Sequence, residues 1–191
     1  MSIEFTIRRQ LVLASGALLM LPAHARAACL ATQADGLGPF FVPEAPRQSD
    51  LCAAAGEAER LTVTGIITGA PDCKPLAGAI IEIWQADAKG AYTQVTRERK
   101  DDPRCLLRAT LSSGADGRYV FRSVLAGEYP GRPSHIHYRV SMKGYRTLVT
   151  QLYFGSERGI DAARVAKLTR VNAADGRPGD YRATFDITLA A

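Results

Sequence analysis

Histidine is scarce here. The 191 residues contain three, His24, His135 and His137, and the first lies in a segment with the marks of an export signal. A hydrolytic zinc or copper centre built on three imidazoles, or on two and a well-placed carboxylate, therefore lacks its parts. Cysteine is limited to four: Cys29, Cys52, Cys73 and Cys105. An even number in an exported chain favours disulfides over thiol ligands or nucleophiles. Three pairings are possible; Cys29–Cys52, pinning the N-terminal arm, and Cys73–Cys105, closing the loop that carries Tyr92, are the expected ones. No apolar run approaches the ~20 residues needed to cross a bilayer core of ~30 Å, so no membrane span is expected. Long Lys/Arg runs are absent, so nucleic acid is not an expected partner. Internal repeats, linkers and low-complexity stretches are missing too.

What is present begins with Arg8-Arg9, an apolar run from Leu11 to Leu21, and Ala25-Arg26-Ala27. Charge, apolar run and small residues in that order make a secretory signal. Thr6-Ile7-Arg8-Arg9-Gln10-Leu11 also resembles a twin-arginine signal, a route that carries folded proteins and would suit a cofactor loaded before export. A lipid anchor at Cys29 is disfavoured by Arg26, which stands where that signal wants an apolar residue. Residues 1–27 are expected to be removed, leaving a periplasmic or secreted protein. Their loss takes three arginines and one glutamate and lowers the formal charge from +5 to +3, a mildly basic surface.

Residues 28–60 hold Gly36, Gly38, Pro39, Pro43 and Pro46 and show little periodicity. They read as an irregular arm lying on the following domain, residues 61–191, with Phe40 and Phe41 as anchors. Strands are predicted over Leu61–Gly69, Ala79–Ala86, Leu106–Leu111, Tyr119–Leu125, His135–Met142 and Leu148–Phe154. Asp116-Gly117 marks a hairpin. Near the C-terminus, Ala183, Phe185, Ile187 and Leu189 alternate with polar residues, the pattern of one half-buried strand. The single helical candidate is Glu157–Leu168. The fold class is all-β, a β-sandwich of about seven or eight short strands.

The densest chemistry lies in Tyr129-Pro130-Gly131-Arg132-Pro133-Ser134-His135-Ile136-His137. Residues i and i+2 of a strand share a face, so both imidazoles point the same way and can share one ion. A bare His-x-His also fits a solvated strand face. Tyr129 sits in the preceding turn, within reach of the histidines. A tyrosine, with a pKa of ~10, ligates as phenolate only beside a strong Lewis acid. Hard anionic oxygen suits ferric iron better than zinc or copper.

Leu61-Thr-Val-Thr-Gly65, Ala79-Ile-Ile-Glu-Ile-Trp-Gln-Ala-Asp87 and Gly90-Ala-Tyr92 resemble the first half of the intradiol ring-cleavage dioxygenase core. Asp116-Gly-Arg-Tyr-Val-Phe121, Gly127-Glu-Tyr129, Arg132-Pro-Ser-His-Ile-His137 and Thr150-Gln-Leu-Tyr-Phe154 resemble its second half. The resemblance implies one ferric ion held by Tyr92, Tyr129, His135 and His137. It implies a small aromatic diol and O2 as reactants, with Tyr129 as the phenolate that leaves the metal and takes a substrate proton. Arg132 would face the substrate and stabilise negative charge, and Gln151 would line the same pocket. Two departures stand out. The longer helical N-terminal segment of catechol- and hydroxyquinol-cleaving relatives has no room here, and protocatechuate-type relatives combine two unlike chains. Which catechol is cleaved, and whether the chain forms an oligomer, stay open. The alternative is an exported transthyretin-like β-sandwich binding module without catalytic iron.

Overall fold

The computed structural model describes residues 29–54, 59–92, 104–128, 131–155, 162–165, 169–171 and 180–191. The predicted export segment, Tyr129 and most of the predicted helix lie outside the described residues. Ten strands are found among them: β1 Arg60–Gly69, β2 Lys74–Pro75, β3 Ile80–Gln85, β4 Arg108–Ser112, β5 Arg118–Val124, β6 His135–Ser141, β7 Leu148–Tyr153, β8 Thr169–Val171, β9 Asp180–Thr184 and β10 Ile187–Leu189. The helical candidate contributes one 3-10 turn, Ala162–Arg164, to the described residues.

β1 is the spine of the first sheet. It runs antiparallel to β5 and β2, and parallel to β9 and β10, with β8 outside β9. The second sheet is antiparallel in the order β4-β3-β6-β7. Period-2 patterning sends Leu61, Val63 and Ile67 of β1, Phe121 of β5, Ile81 and Ile83 of β3, and Ile136, Tyr138 and Val140 of β6 into one shared core. Each such side chain contributes about 1.5–3 kcal/mol by burial. The result is an all-β sandwich.

The C-terminal strand departs from expectation. Ala183, Phe185, Ile187 and Leu189 are all buried as predicted, but the ladder breaks at Phe185-Asp186 and makes two strands. Side chains replace the missing bond: Tyr119 Oη donates to the Phe185 carbonyl at 2.6 Å, and Asp186 Oδ1 accepts from the Ile66 N–H at 3.0 Å. Gly65 leaves the room this needs, since a Cβ there would stand 1.9 Å from the Phe185 oxygen. β4 also starts late. Leu107 takes φ 55° and its N–H donates to the Leu51 carbonyl of the arm at 3.0 Å.

The disulfides are Cys29–Cys73 and Cys52–Cys105, which corrects both expected pairings. The described part of the arm is laid across the sandwich by hydrogen bonds: Cys29 N to Pro71 O at 3.0 Å, Thr32 N to Thr188 O and Asp35 N to Val149 O at 2.9 Å. Cys29 thus starts beside the β1–β2 turn that holds Cys73. Cys52 reaches Cys105 because the arm also crosses β5 and the approach to β4, with Leu51 N donating to Arg122 O at 2.8 Å.

Candidate metal centre

Because Ile136, Tyr138 and Val140 fill the core, His135 and His137 stand on the opposite face of the second sheet. Strand register builds the rest of that face. Trp84 and Gln151 flank His137 from β3 and β7, and Tyr153 pairs with His135. The face is nevertheless dry, with His135 and His137 only 3% and 1% exposed. The arm covers it. Gly38, at φ +72°, lies against the His137 ring, and a Cβ there would come within 3.1 Å of Cε1. Trp84 stacks parallel on His137 with ring centroids 4.8 Å apart. Phe40 stacks on Tyr92 at 4.1 Å and Phe41 meets Trp84 edge-on at 5.0 Å. The two phenylalanines expected to anchor the arm thus anchor it at the site.

Three donor atoms converge. Tyr92 Oη is 3.3 Å from His135 Nε2, which is 3.1 Å from His137 Nε2. His135 Nδ1–H donates to the Pro133 carbonyl at 2.7 Å, so its Nε2 carries the lone pair. Burial lowers the pKa of His135 and, with the neighbouring His135 and the Arg132 charge adding to it, brings His137 down to about 3. Both rings are therefore neutral at neutral pH, the form that binds metal.

The donors fit an ion. A first-row metal takes imidazole nitrogen at about 2.1 Å, which places two such ligands roughly 3–3.4 Å apart. His137 Nδ1 is buried without a hydrogen-bond partner among the described residues. A cation between the two Nε2 atoms would accept a lone pair from each and leave the His137 ring proton on Nδ1. Groups of three His, Cys, Asp or Glu are absent among the described residues, so the set is mixed nitrogen and phenol oxygen, suited to a hard, highly charged ion.

Arg132 and Gln151 are also brought here. Arg132 Nη2 donates to Gln151 Oε1 at 2.6 Å and to Tyr153 Oη at 3.2 Å. Gln151 Nε2 donates to the Gly36 carbonyl at 2.9 Å, tying the arm to β7. Of the six residues expected at the site, Tyr92, Arg132, His135, His137 and Gln151 gather on one sheet face, and Tyr129 lies outside the described residues. Three further residues were missed: Asp35, Tyr153 and Arg164. Tyr153 had a signal, standing two positions after Gln151 on the same strand face. Asp35 and Arg164, far apart in a loose arm and a turn, had none. A separate groove of about 590 Å³, lined by Thr64, Ile66, Leu111, Arg118 and Asp186 among others, shares none of these residues.

Fold and site together define a β-sandwich with a candidate histidine–tyrosine metal centre on the outer face of one sheet. Comparison with known proteins gives the family. The family model described as Dioxygenase matches residues 37–189. The 6-chlorohydroxyquinol 1,2-dioxygenase of Cupriavidus pinatubonensis is 33% identical over 83% of this chain and 64% of its own length. The catechol 1,2-dioxygenase of Candida albicans is 29% identical over 81% of this chain and 61% of its own. Among solved structures, the dioxygenase domain of a dioxygenase carbohydrate-binding protein fusion from Streptomyces sp. SirexAA-E superposes with a TM-score of 0.71 at 31% identity, covering 84% of this chain and 99% of that one. An intradiol ring-cleavage dioxygenase from Tetranychus urticae gives 0.67 at 25% identity, covering 85% and 95%. This chain belongs to the intradiol ring-cleavage dioxygenase family. It spans 64% or less of the length of these two curated relatives.

Proposed function

We propose that the chain is a ferric intradiol dioxygenase, opening a catechol-type ring between its two hydroxylated carbons with O2 to give a cis,cis-muconate-type diacid. The convergence of Tyr92 Oη and His137 Nε2 on His135 Nε2, at 3.3 and 3.1 Å, carries this reading. Tyr92, Tyr129, His135 and His137 would hold the iron. Bound there, ferric iron would supply Lewis acidity, drawing both catechol oxygens into the site and activating the ring towards O2.

The chain's own groups do the rest. The neutral histidines add no charge, so two phenolates and one water-derived hydroxide would balance the ferric ion. Tyr129, as phenolate, takes a proton from one catechol hydroxyl. Arg132, always charged, stabilises negative charge that grows on the ring as it meets O2. Trp84, Phe40 and Gly38 keep water from the histidines. An iron-free binding module gives no account of three donors gathered in a dry site. The relatives named for catechol and 6-chlorohydroxyquinol support a catechol-type substrate here.

The test is oxygen uptake measured together with muconate absorbance on the iron-loaded protein. Uptake of one O2 per catechol is expected. Iron-loaded protein that binds catechol and never consumes oxygen would overturn the reading. We further propose that residues 1–27 are an export signal and that the protein acts in the periplasm or outside the cell. Mass spectrometry of protein from the native host should find a start near Ala28, and an intact Met1 would contradict export.

A further inference from the structure

The side chain of Arg132 does not hold its own position. Its Nη2 meets two oxygens, Gln151 Oε1 at 2.6 Å and Tyr153 Oη at 3.2 Å, and those oxygens are 3.0 Å from each other. Tyr153 Oη is also 2.8 Å from Asp35 Oδ2. The phenol has one proton for two acceptors. The carboxylate is the stronger acceptor and the shorter contact, so the proton goes to Asp35. Tyr153 Oη and Gln151 Oε1 then face each other as two acceptors, and the two hydrogens of Arg132 Nη2 satisfy one each.

Asp35 is itself fixed. Its Oδ1 accepts the Gly36 N–H at 2.6 Å, and Oδ2 also accepts from Arg164 Nη1. Arg164 is 4% exposed, lies over the Tyr153 ring at 5.5 Å, and donates to Gln33 Oε1 at 3.2 Å. The carboxylate therefore cannot turn away from the phenol without breaking an ion pair.

We infer that Asp35 and Tyr153 are positioning residues for Arg132: Asp35 claims the phenol proton, and the freed lone pair, with Gln151, holds the guanidinium in one orientation beside the histidines. Without Asp35 the phenol proton turns to Gln151 Oε1 and competes with Arg132 for that oxygen. The inference rests on the function proposed above, in which Arg132 acts on the ring.

Tyr153→Phe removes the hydroxyl and keeps the ring that packs on His135 and Arg164. The expected protein melts within a few degrees of wild type, retains iron, and gives the wild-type visible change on anaerobic titration with 4-nitrocatechol. Turnover at saturating catechol falls about tenfold, the effect of one hydrogen bond to a charged group. Arg132→Ala/Tyr153→Phe should be no slower than Arg132→Ala alone, because the second change acts only through the first. Asp35→Asn should slow turnover in the wild-type background and not in Tyr153→Phe. Unchanged turnover in Tyr153→Phe, or losses that multiply in the Arg132→Ala/Tyr153→Phe double variant, overturn the inference while the dioxygenase reading stands. An Asp35→Asn loss that persists in full in the Tyr153→Phe background removes Asp35 from the relay. Wild-type protein that consumes no oxygen overturns both.

Discussion

His135 Nδ1 stands 2.7 Å from the carbonyl oxygen of Pro133, two residues earlier in the chain. That bond sets the tautomer and turns the ring so that Nε2 faces His137. Outer partners of this kind raise ligand basicity, and losing them typically weakens metal binding. His135→Ala and His137→Ala should each lose most of their iron, read by elemental analysis of folded protein. Full iron occupancy in both variants would remove the pair from the metal site.

Tyr92 lies against Phe40 with rings 4.1 Å apart and its oxygen on His135. As a ligand it should give a broad phenolate-to-iron visible band in the loaded protein. Tyr92→Phe keeps the stacked ring and removes one phenolate, so the band should shift and weaken. Tyr129→Phe should do likewise. An unaltered spectrum in Tyr92→Phe would show that its oxygen does not bind the metal.

Arg132→Ala should retain iron and still change colour on adding catechol. Its turnover should fall by ~10²–10³, the loss seen when a donor to developing charge is removed. Oxygen uptake against wild type measures this, and an unchanged kcat would leave Arg132 a structural role only.

Acid should destabilise the metal-free protein. His137 titrates at about 3 in the fold, held down chiefly by burial, and near 6.5 when unfolded. Between those values the unfolded chain binds a proton that the fold refuses. The stabilising contribution is complete above about pH 6.5 and falls as pH drops towards about 3, by about 1.4 kcal/mol per unit. His135, also lowered by burial, acts in the same direction. Urea unfolding of metal-free protein at pH 7 and pH 5 should show the drop, and equal midpoints would contradict it.

The disulfides join residues 44 and 53 positions apart. Loops of that length give about 4 kcal/mol each in the chain-entropy estimate. Reduction should lower the melting temperature clearly, and Cys29→Ala/Cys73→Ala should loosen the arm over the histidines. Peptide mapping without reduction should find these two links. A Cys29–Cys52 link in the native protein would contradict the described fold.

Much of the protein could be read from local pattern. Alternation along β1, β3, β5, β6 and β7 depends on neighbours two residues apart, so strand identity and the shared face of His135 and His137 were legible in the sequence alone. Tyr129 could be proposed from its place in the stretch before the histidines, whereas Tyr92, Arg132 and Gln151 came from family motifs at compatible spacing rather than from local physics. What tertiary structure decided was everything that joins distant segments. The disulfide partners followed from where the arm crosses the sandwich, which loop length does not reveal. The break at Phe185-Asp186 needed Tyr119 on β5 and the space beside Gly65, neither visible in a run that alternates without a flaw. The link from Asp35 to Arg132 exists because the arm, β7 and the turn at Arg164 meet over one sheet face. Sequence patterning records which side chains seek burial, and the hydrogen-bond partner each finds there depends on how the arm and sheets are packed.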